Sequence, residues 1–190
     1  MKTYDFVHLV LYAADGKIEG STKLQKIVYF AGVLTKREGG LGYRPHFYGP
    51  YSAEVAGAVD KLRALGFLRH TVAGGGSVDH RGFEIARSDY ELTEDGKFIA
   101  KEKTRDFAPD WKLVKAAVNR LNRSESNDYV KLSIAAKTYF LHGKGKLKGT
   151  TSTGELEQVS ARFGWKVTRD EIREAFEWLR SIHLVEDSRP

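Results

Sequence analysis

The stretch from Tyr43 to Gly96 constrains the fold most. It reads YRPHFYGPYSAEVAGAVDKLRALGFLRH, passes through a glycine-rich break, and resumes as RGFEIARSDYELTEDG. Tyr43 to Tyr48 alternates and carries aromatic rings, which predicts a short strand. Gly49-Pro50 is a turn signal. Ser52 is placed to cap the next helix, because its hydroxyl can accept an orphan amide hydrogen bond. Val55, Val59 and Leu62, with Ala58 and Leu65 beside them, form one apolar helical face. Gly66 ends that helix, since glycine adopts the left-handed conformation cheaply. Phe67 to Val72 reads as a strand, Ala73 to Ser77 as a tip, and Gly82 to Leu92 as the returning strand. Thr93 caps a further helix. Helix, strand, glycine-rich tip, strand and helix together make the layout of a winged helix, so the expected class is α+β and mostly helical.

The segment before this stretch supplies two more helices. Tyr4 to Ala14 has Phe6, Val7, Val10, Leu11 and Ala14 on one stripe. A second helix runs to about Thr35, capped by Ser21 or Thr22, with Leu24, Ile27, Val28, Ala31 and Leu34 facing inward. Lys23 and Lys26 fall near its start, where the helix dipole disfavours cations. They read either as reaching for a phosphate or an acidic neighbour, or as solvated side chains. Tyr29, Phe30, Tyr43, Phe47, Tyr48 and Tyr51 form an aromatic set that is expected in the core, the alternative being a ligand or base-stacking surface.

Four strings keep their order over residues 4–100: STKLQKIVYFAG (Ser21 to Gly32), YGPYS (Tyr48 to Ser52), LRALGFL and YELTEDG. Together they resemble the YwgA-like family of uncharacterised prokaryotic proteins. KLQKIVYFA is also similar to the opening of the Panacea domain of SocA-type antitoxins. The resemblance implies a fold derived from helix-turn-helix and no known chemistry, because fold and function separate easily.

One departure from a simple winged helix bears on function. Roughly fifteen residues, including a strand, separate the second helix from the one beginning near Ser52, whereas DNA-reading units join their helices by about 3–4 residues. The outward positions of the later helix include Ala53, Glu54, Gly57, Asp60 and Lys61, and its acids would repel phosphate. This unit is expected to be a scaffold or protein-contact surface. Its wing is more basic, with Arg69 and Arg81 flanking the tip beside His70 and His80. The histidines match no metal-ligand spacing.

The second half is expected to be helical: Glu94 to Lys103, Phe107 to Asn122 and Tyr129 to Leu141. Asn122 to Asp128 is a polar break. HGKGKLKGTTSTG follows, with Lys144, Lys146 and Lys148 alternating among glycines. It lacks the GxxxxGK[ST] spacing after a strand that a phosphate-cradling loop needs. A second helix-turn-helix pattern ends the chain. Thr153 caps Glu155 to Phe163, with Leu156, Val159 and Phe163 inward. Gly164 to Val167 is a turn, and Thr168 and Glu171 have capping-box spacing. Ile172, Ala175, Phe176 and Leu179 form the next stripe, and Ile182 to Val185 has strand character. Lys166, Thr168, Arg169 and Arg173 stand at the exposed helix start, where recognition helices touch bases, although Glu174 and Glu177 oppose phosphate.

Charge sharpens this division. Of the net +6, residues 101–150 carry 12 Lys/Arg against 5 Asp/Glu, whereas residues 51–100 carry 6 against 8. Clustered basic charge suits a polyanion. The chain has no cysteine, which excludes thiolate chemistry and disulfides. No apolar run reaches membrane-span length, and the N-terminus lacks signal-peptide features, so cytoplasmic residence is expected. No catalytic order of residues stands out.

The expectation is therefore a winged-helix-like unit over residues 1–105 and a helical unit over residues 106–190. The predicted role is a transcriptional regulator that binds double-stranded DNA without a cofactor or metal. The contacts would be Lys23, Lys26, Arg69, Arg81, Lys144, Lys146, Lys148, Lys166, Thr168, Arg169 and Arg173. The alternative is an antitoxin-like module that binds a protein partner.

Overall fold

The computed structural model describes residues 1–73, 87–123, 128–143 and 152–185. The chain is mostly helical with a small antiparallel sheet. Helix α1 (Thr3–Ala13), strand β1 (Lys17–Glu19) and helix α2 (Ser21–Leu34) come first. A 3-10 turn (Glu38–Leu41) and a hairpin of β2 (Arg44–His46) and β3 (Gly49–Tyr51) follow. Helix α3 (Ala53–Ala64) leads into β4 (Leu68–Ala73) and β5 (Arg87–Leu92). The remaining elements are α4 (Glu94–Asp106), α5 (Ala108–Arg123), α6 (Tyr129–Gly143), α7 (Thr153–Arg162) and α8 (Arg169–Ser181). The sheet order is β1-β5-β4, and Tyr90 of β5 stands between Ile18 and His70.

Helix α2 is the centre of the molecule. Leu24 through Val33 is buried without a break, because α1, α5, α6 and the hairpin all pack on it. A helix covered on all sides need not show a polar face. One hydrophobic cluster runs from Phe6 to Ile182, so residues before and after 105 share a core.

Local capping chemistry fixes several helix ends as expected. The Ser52 hydroxyl accepts from the Val55 amide at 3.0 Å, and Thr93 accepts from the Gly96 amide at 3.0 Å. Gly66 sits at φ 71°, closing α3. Gly96 is required for a different reason: a Cβ there would collide with the Phe67 carbonyl. His8 is wholly buried on α1, its Nε2 hydrogen-bonds the Gly96 carbonyl at 2.9 Å, and burial pushes its pKa down to about 4.

Other expectations are corrected. Neither Ser21 nor Thr22 caps α2; Gly20 occupies the cap position at φ 93° with no side-chain bond. Gly49-Pro50 is strand rather than turn, and Phe47-Tyr48 makes the reversal. The register explains it. His46 faces Gly49 across the two-residue turn, so Pro45 and Pro50 face each other on the next pair. That pair is non-hydrogen-bonded in an antiparallel ladder, where a missing N–H does no harm. Ser152, not Thr153, caps α7 through a capping box. Leu65 and Phe163 were expected inward but are 50% and 42% exposed. Ile182 to Val185 forms turns, tied by the Leu184 amide donating to the Leu179 carbonyl at 2.9 Å. The tip after Ala73 lies outside the described residues.

Candidate functional site

The hairpin between α2 and α3 gathers the least ordinary chemistry of the molecule. Its backbone is held from beneath by buried side-chain donors on three other segments. Lys26 Nζ of α2 donates to the Pro50 carbonyl at 2.7 Å. Gln25 Nε2 donates to the Ser52 carbonyl at 3.0 Å, while its Oε1 accepts from the Ser52 amide at 3.1 Å. Ser133 Oγ of α6 donates to the Tyr48 carbonyl at 2.7 Å. Trp165 Nε1, from the turn before α8, donates to the His46 carbonyl at 2.7 Å. The Ser52 carbonyl also accepts from the Ala56 amide at 3.1 Å and His46 belongs to the hydrogen-bonded pair of the ladder, so it is the Pro50 and Tyr48 carbonyls that rely on these donors.

Two lysines lie against the bare surface of Gly49. Lys26 is 2% and Lys137 5% exposed. A Cβ on Gly49 would stand 3.0 Å from Lys137 Cγ and 3.5 Å from Lys26 Cε. Burial, with the Lys137 charge adding to it, pushes Lys26 down to about 7. Burial pushes Lys137 down to about 8 against the opposing pull of Glu171. An amine titrating near neutrality is a potential nucleophile, but the near-complete burial of Lys26 closes it to a dissolved substrate. Its geometry suits it to hold the hairpin.

The hairpin also carries exposed aromatic rings. Phe47 and Tyr51, expected in the core, are instead 77% and 37% exposed. The His46 ring lies 6.3 Å from Phe47 and 5.0 Å from Tyr51. Below it, Phe163 stacks on Trp165 at 5.2 Å and reaches the surface.

At the hairpin base a cleft of about 420 Å³ opens between the 3-10 turn, β2, α2 and α6. Its walls include Tyr29, Tyr43, Tyr139 and Phe140, with Glu38 and Arg44 beside them. The Tyr29 ring lies 4.9 Å from Tyr43 and 6.4 Å from Tyr139. Burial raises the pKa of all three phenols, and the Glu38 carboxylate adds to the rise at Tyr29 and Tyr139.

The residues expected to contact DNA are distributed differently. Lys26 is removed from the surface altogether: it points under the hairpin because α2 is buried on every side there. Lys23 is half-buried near the Glu19 carboxylate. Arg69 is exposed on β4, 3.5 Å from Glu91. Lys166 is exposed in the turn before α8. Thr168 spends its hydroxyl on the capping box with Glu171. Arg169 pairs with Glu157 at 2.7 Å and Arg173 with Asp170 at 3.0 Å. Thr168, Arg169 and Arg173 therefore share the α8 start, while Lys23 and Arg69 stand on other elements. Arg81, Lys144, Lys146 and Lys148 lie outside the described residues. On α3, Ala53, Glu54, Gly57, Asp60 and Lys61 are exposed as expected.

Sequence reasoning missed Gln25, Ser133, Lys137 and Trp165. The signal available was polar residues inside otherwise apolar stripes, which ordinarily marks a solvated position. Among the described residues, no group of three or more histidine, aspartate or glutamate side chains could hold a metal ion. No described helix is long and apolar enough to cross a membrane.

No family model matches the chain. It is similar to the uncharacterized protein YwgA of Bacillus subtilis (strain 168), with 29% identity over 177 residues, or 92% of this chain and 93% of the relative. That likeness spans nearly the whole of both chains and supports the resemblance to YwgA-like proteins.

Proposed function

We propose that this chain is a winged-helix-type, antitoxin-like module that binds a protein partner through its aromatic hairpin. The element order from α1 to β5 and the β1-β5-β4 sheet fit a winged helix. The carrying observation is what joins α2 to α3. Residues 35–52 replace the short turn of a DNA reader with a hairpin that is pinned by buried donors and carries the exposed rings of Phe47 and Tyr51. Exposed aromatic side chains on a rigid support are the usual anchors of protein interfaces. The exposed face of α3 balances Glu54 and Asp60 with Lys61 and Arg63, which leaves no net positive charge to draw a phosphate backbone.

A second reading, a DNA-binding transcriptional regulator, is favoured by the α7–α8 unit. Its linking turn is short, residues 163–168, and Lys166, Arg169 and Arg173 stand exposed there. The experiment sets the two against each other. Full-chain protein is recovered from its source cell, a co-purifying protein is identified, and the complex is rebuilt from pure components. Phe47→Ala with Tyr51→Ala is expected to abolish the rebuilt complex while leaving the circular dichroism unchanged. Sequence-selective duplex binding that falls with Arg169→Ala or Arg173→Ala, and not with the hairpin variant, would overturn the protein-partner reading in favour of DNA.

A further inference from the structure

We propose that the cleft at the hairpin base binds a small zwitterion with an apolar body, of the free α-amino acid class. This goes beyond the protein-partner reading and does not depend on it, because the cleft is built from side chains other than the exposed hairpin tip.

The volume of about 420 Å³ falls among small-ligand sites, commonly about 300–1,000 Å³. The walls are aromatic, and both signs of charge are present in Glu38 and Arg44. Among the described residues, neither Glu38 nor Arg44 is in an ion pair. The Tyr43 hydroxyl is already committed to the Gln25 carbonyl at 2.8 Å. The hydroxyls of Tyr29 and Tyr139 have no hydrogen-bond partner among the described residues. Burial keeps both phenols protonated, so both can donate to a ligand.

Each feature selects part of the ligand. Aromatic faces together with a carboxylate attract an ammonium group. A guanidinium pairs with a carboxylate through two parallel hydrogen bonds. An amine alone would share the cleft with the like charge of Arg44, and an acid alone with that of Glu38. A zwitterion meets both, and the tyrosine rings cover its apolar body.

The test is calorimetric titration of the full chain at pH 7 with each of the common amino acids. The tightest is compared with its decarboxylated amine and its deaminated acid. Glu38→Gln, Arg44→Gln and Tyr139→Phe are titrated alongside, with circular dichroism as the check of fold. At least one amino acid is expected to bind at millimolar or tighter concentration. Its amine and acid analogues, and the Glu38 and Arg44 variants, are each expected to bind about tenfold or more weakly, as loss of a charged hydrogen bond implies. Tyr139→Phe is expected to weaken binding by a few-fold, as for loss of a neutral hydrogen bond. Absence of binding by every amino acid would overturn the proposal, as would an amine or acid analogue that binds equally well. Indifference of the best ligand to both Glu38→Gln and Arg44→Gln would overturn it too. None of these failures touches the hairpin tip, which the Phe47 and Tyr51 variants report.

Discussion

The α2–α3 and α7–α8 pairs are both two-helix units, but they close by different means. In α7–α8 the link is residues 163–168, and the signals are local. Ser152 and Thr168 each make a capping box, and the Trp165 amide donates to the Ser160 carbonyl at 3.0 Å. In α2–α3 the link is residues 35–52, held by Lys26, Gln25, Ser133 and Trp165 from elsewhere in the chain. A short link is specified by its own residues, whereas a long one is specified by what it lies on. Trp165 belongs to both, since it fills the α7–α8 turn and donates to the hairpin.

Trp165→Ala is therefore expected to have the largest effect, a loss of about 3–5 kcal/mol in chemical denaturation, as for other buried aromatic truncations. Trp165→Phe sharpens the comparison. It keeps most of the packing and removes only the bond to the His46 carbonyl, at about 0.5–1.5 kcal/mol. A Phe variant as unstable as the Ala variant would place the whole effect in the hydrogen bond.

The buried lysines give the molecule a pH dependence centred on the α2–α3 link. Their native pKa values of about 7 and 8 lie below the ordinary 10.5. Between these values the unfolded chain holds more protons than the folded one, so stability rises with pH. Each lysine is expected to add roughly 2 kcal/mol between pH 8 and pH 10. Above pH 10 the raised tyrosines act in the opposite sense. Lys26→Met is expected to flatten the rise and, because the Pro50 carbonyl loses its donor, to cost about 1–3 kcal/mol at about pH 10, where Lys26 is neutral. Denaturation midpoints across this range decide it, and an unchanged slope would contradict the burial of Lys26.

Two caps with the same local role separate the two links further. Thr168→Ala is expected to cost about 1 kcal/mol. Ser52→Ala is expected to cost more, about 2–3 kcal/mol, because Ser52 is fully buried and also donates to the Leu41 carbonyl. Equal losses would mean that the bond to the Leu41 carbonyl adds nothing to the cap. Phe47→Ala is expected to change stability by less than about 0.5 kcal/mol, as for an exposed side chain.

These contrasts track what was legible in the sequence. Ser52, Gly66, Thr93 and the Thr168–Glu171 box could be placed because each acts on a neighbour a few residues away. The apolar stripe of α3 was legible at Val55, Val59 and Leu62 because one face meets the core. Lys26 and Lys137 were not, because a lysine in a helix reads as solvated unless its burial is known. The partners of Ser133 and Trp165 lie 85 and 119 residues away, beyond any local pattern. The hairpin turn was misplaced for the same reason: Gly49-Pro50 looks like a reversal until the facing Pro45 is known.

On the protein-partner reading, the hairpin tip, rather than α3 or the start of α8, meets the partner. Site-specific photo-cross-linking in the source cell tests it, with the reactive group placed in turn at Phe47, Lys61 and Arg173. A covalent protein adduct is expected at position 47, with none at 61 or 173. Nucleic-acid adducts at 173 with none at 47 would contradict it.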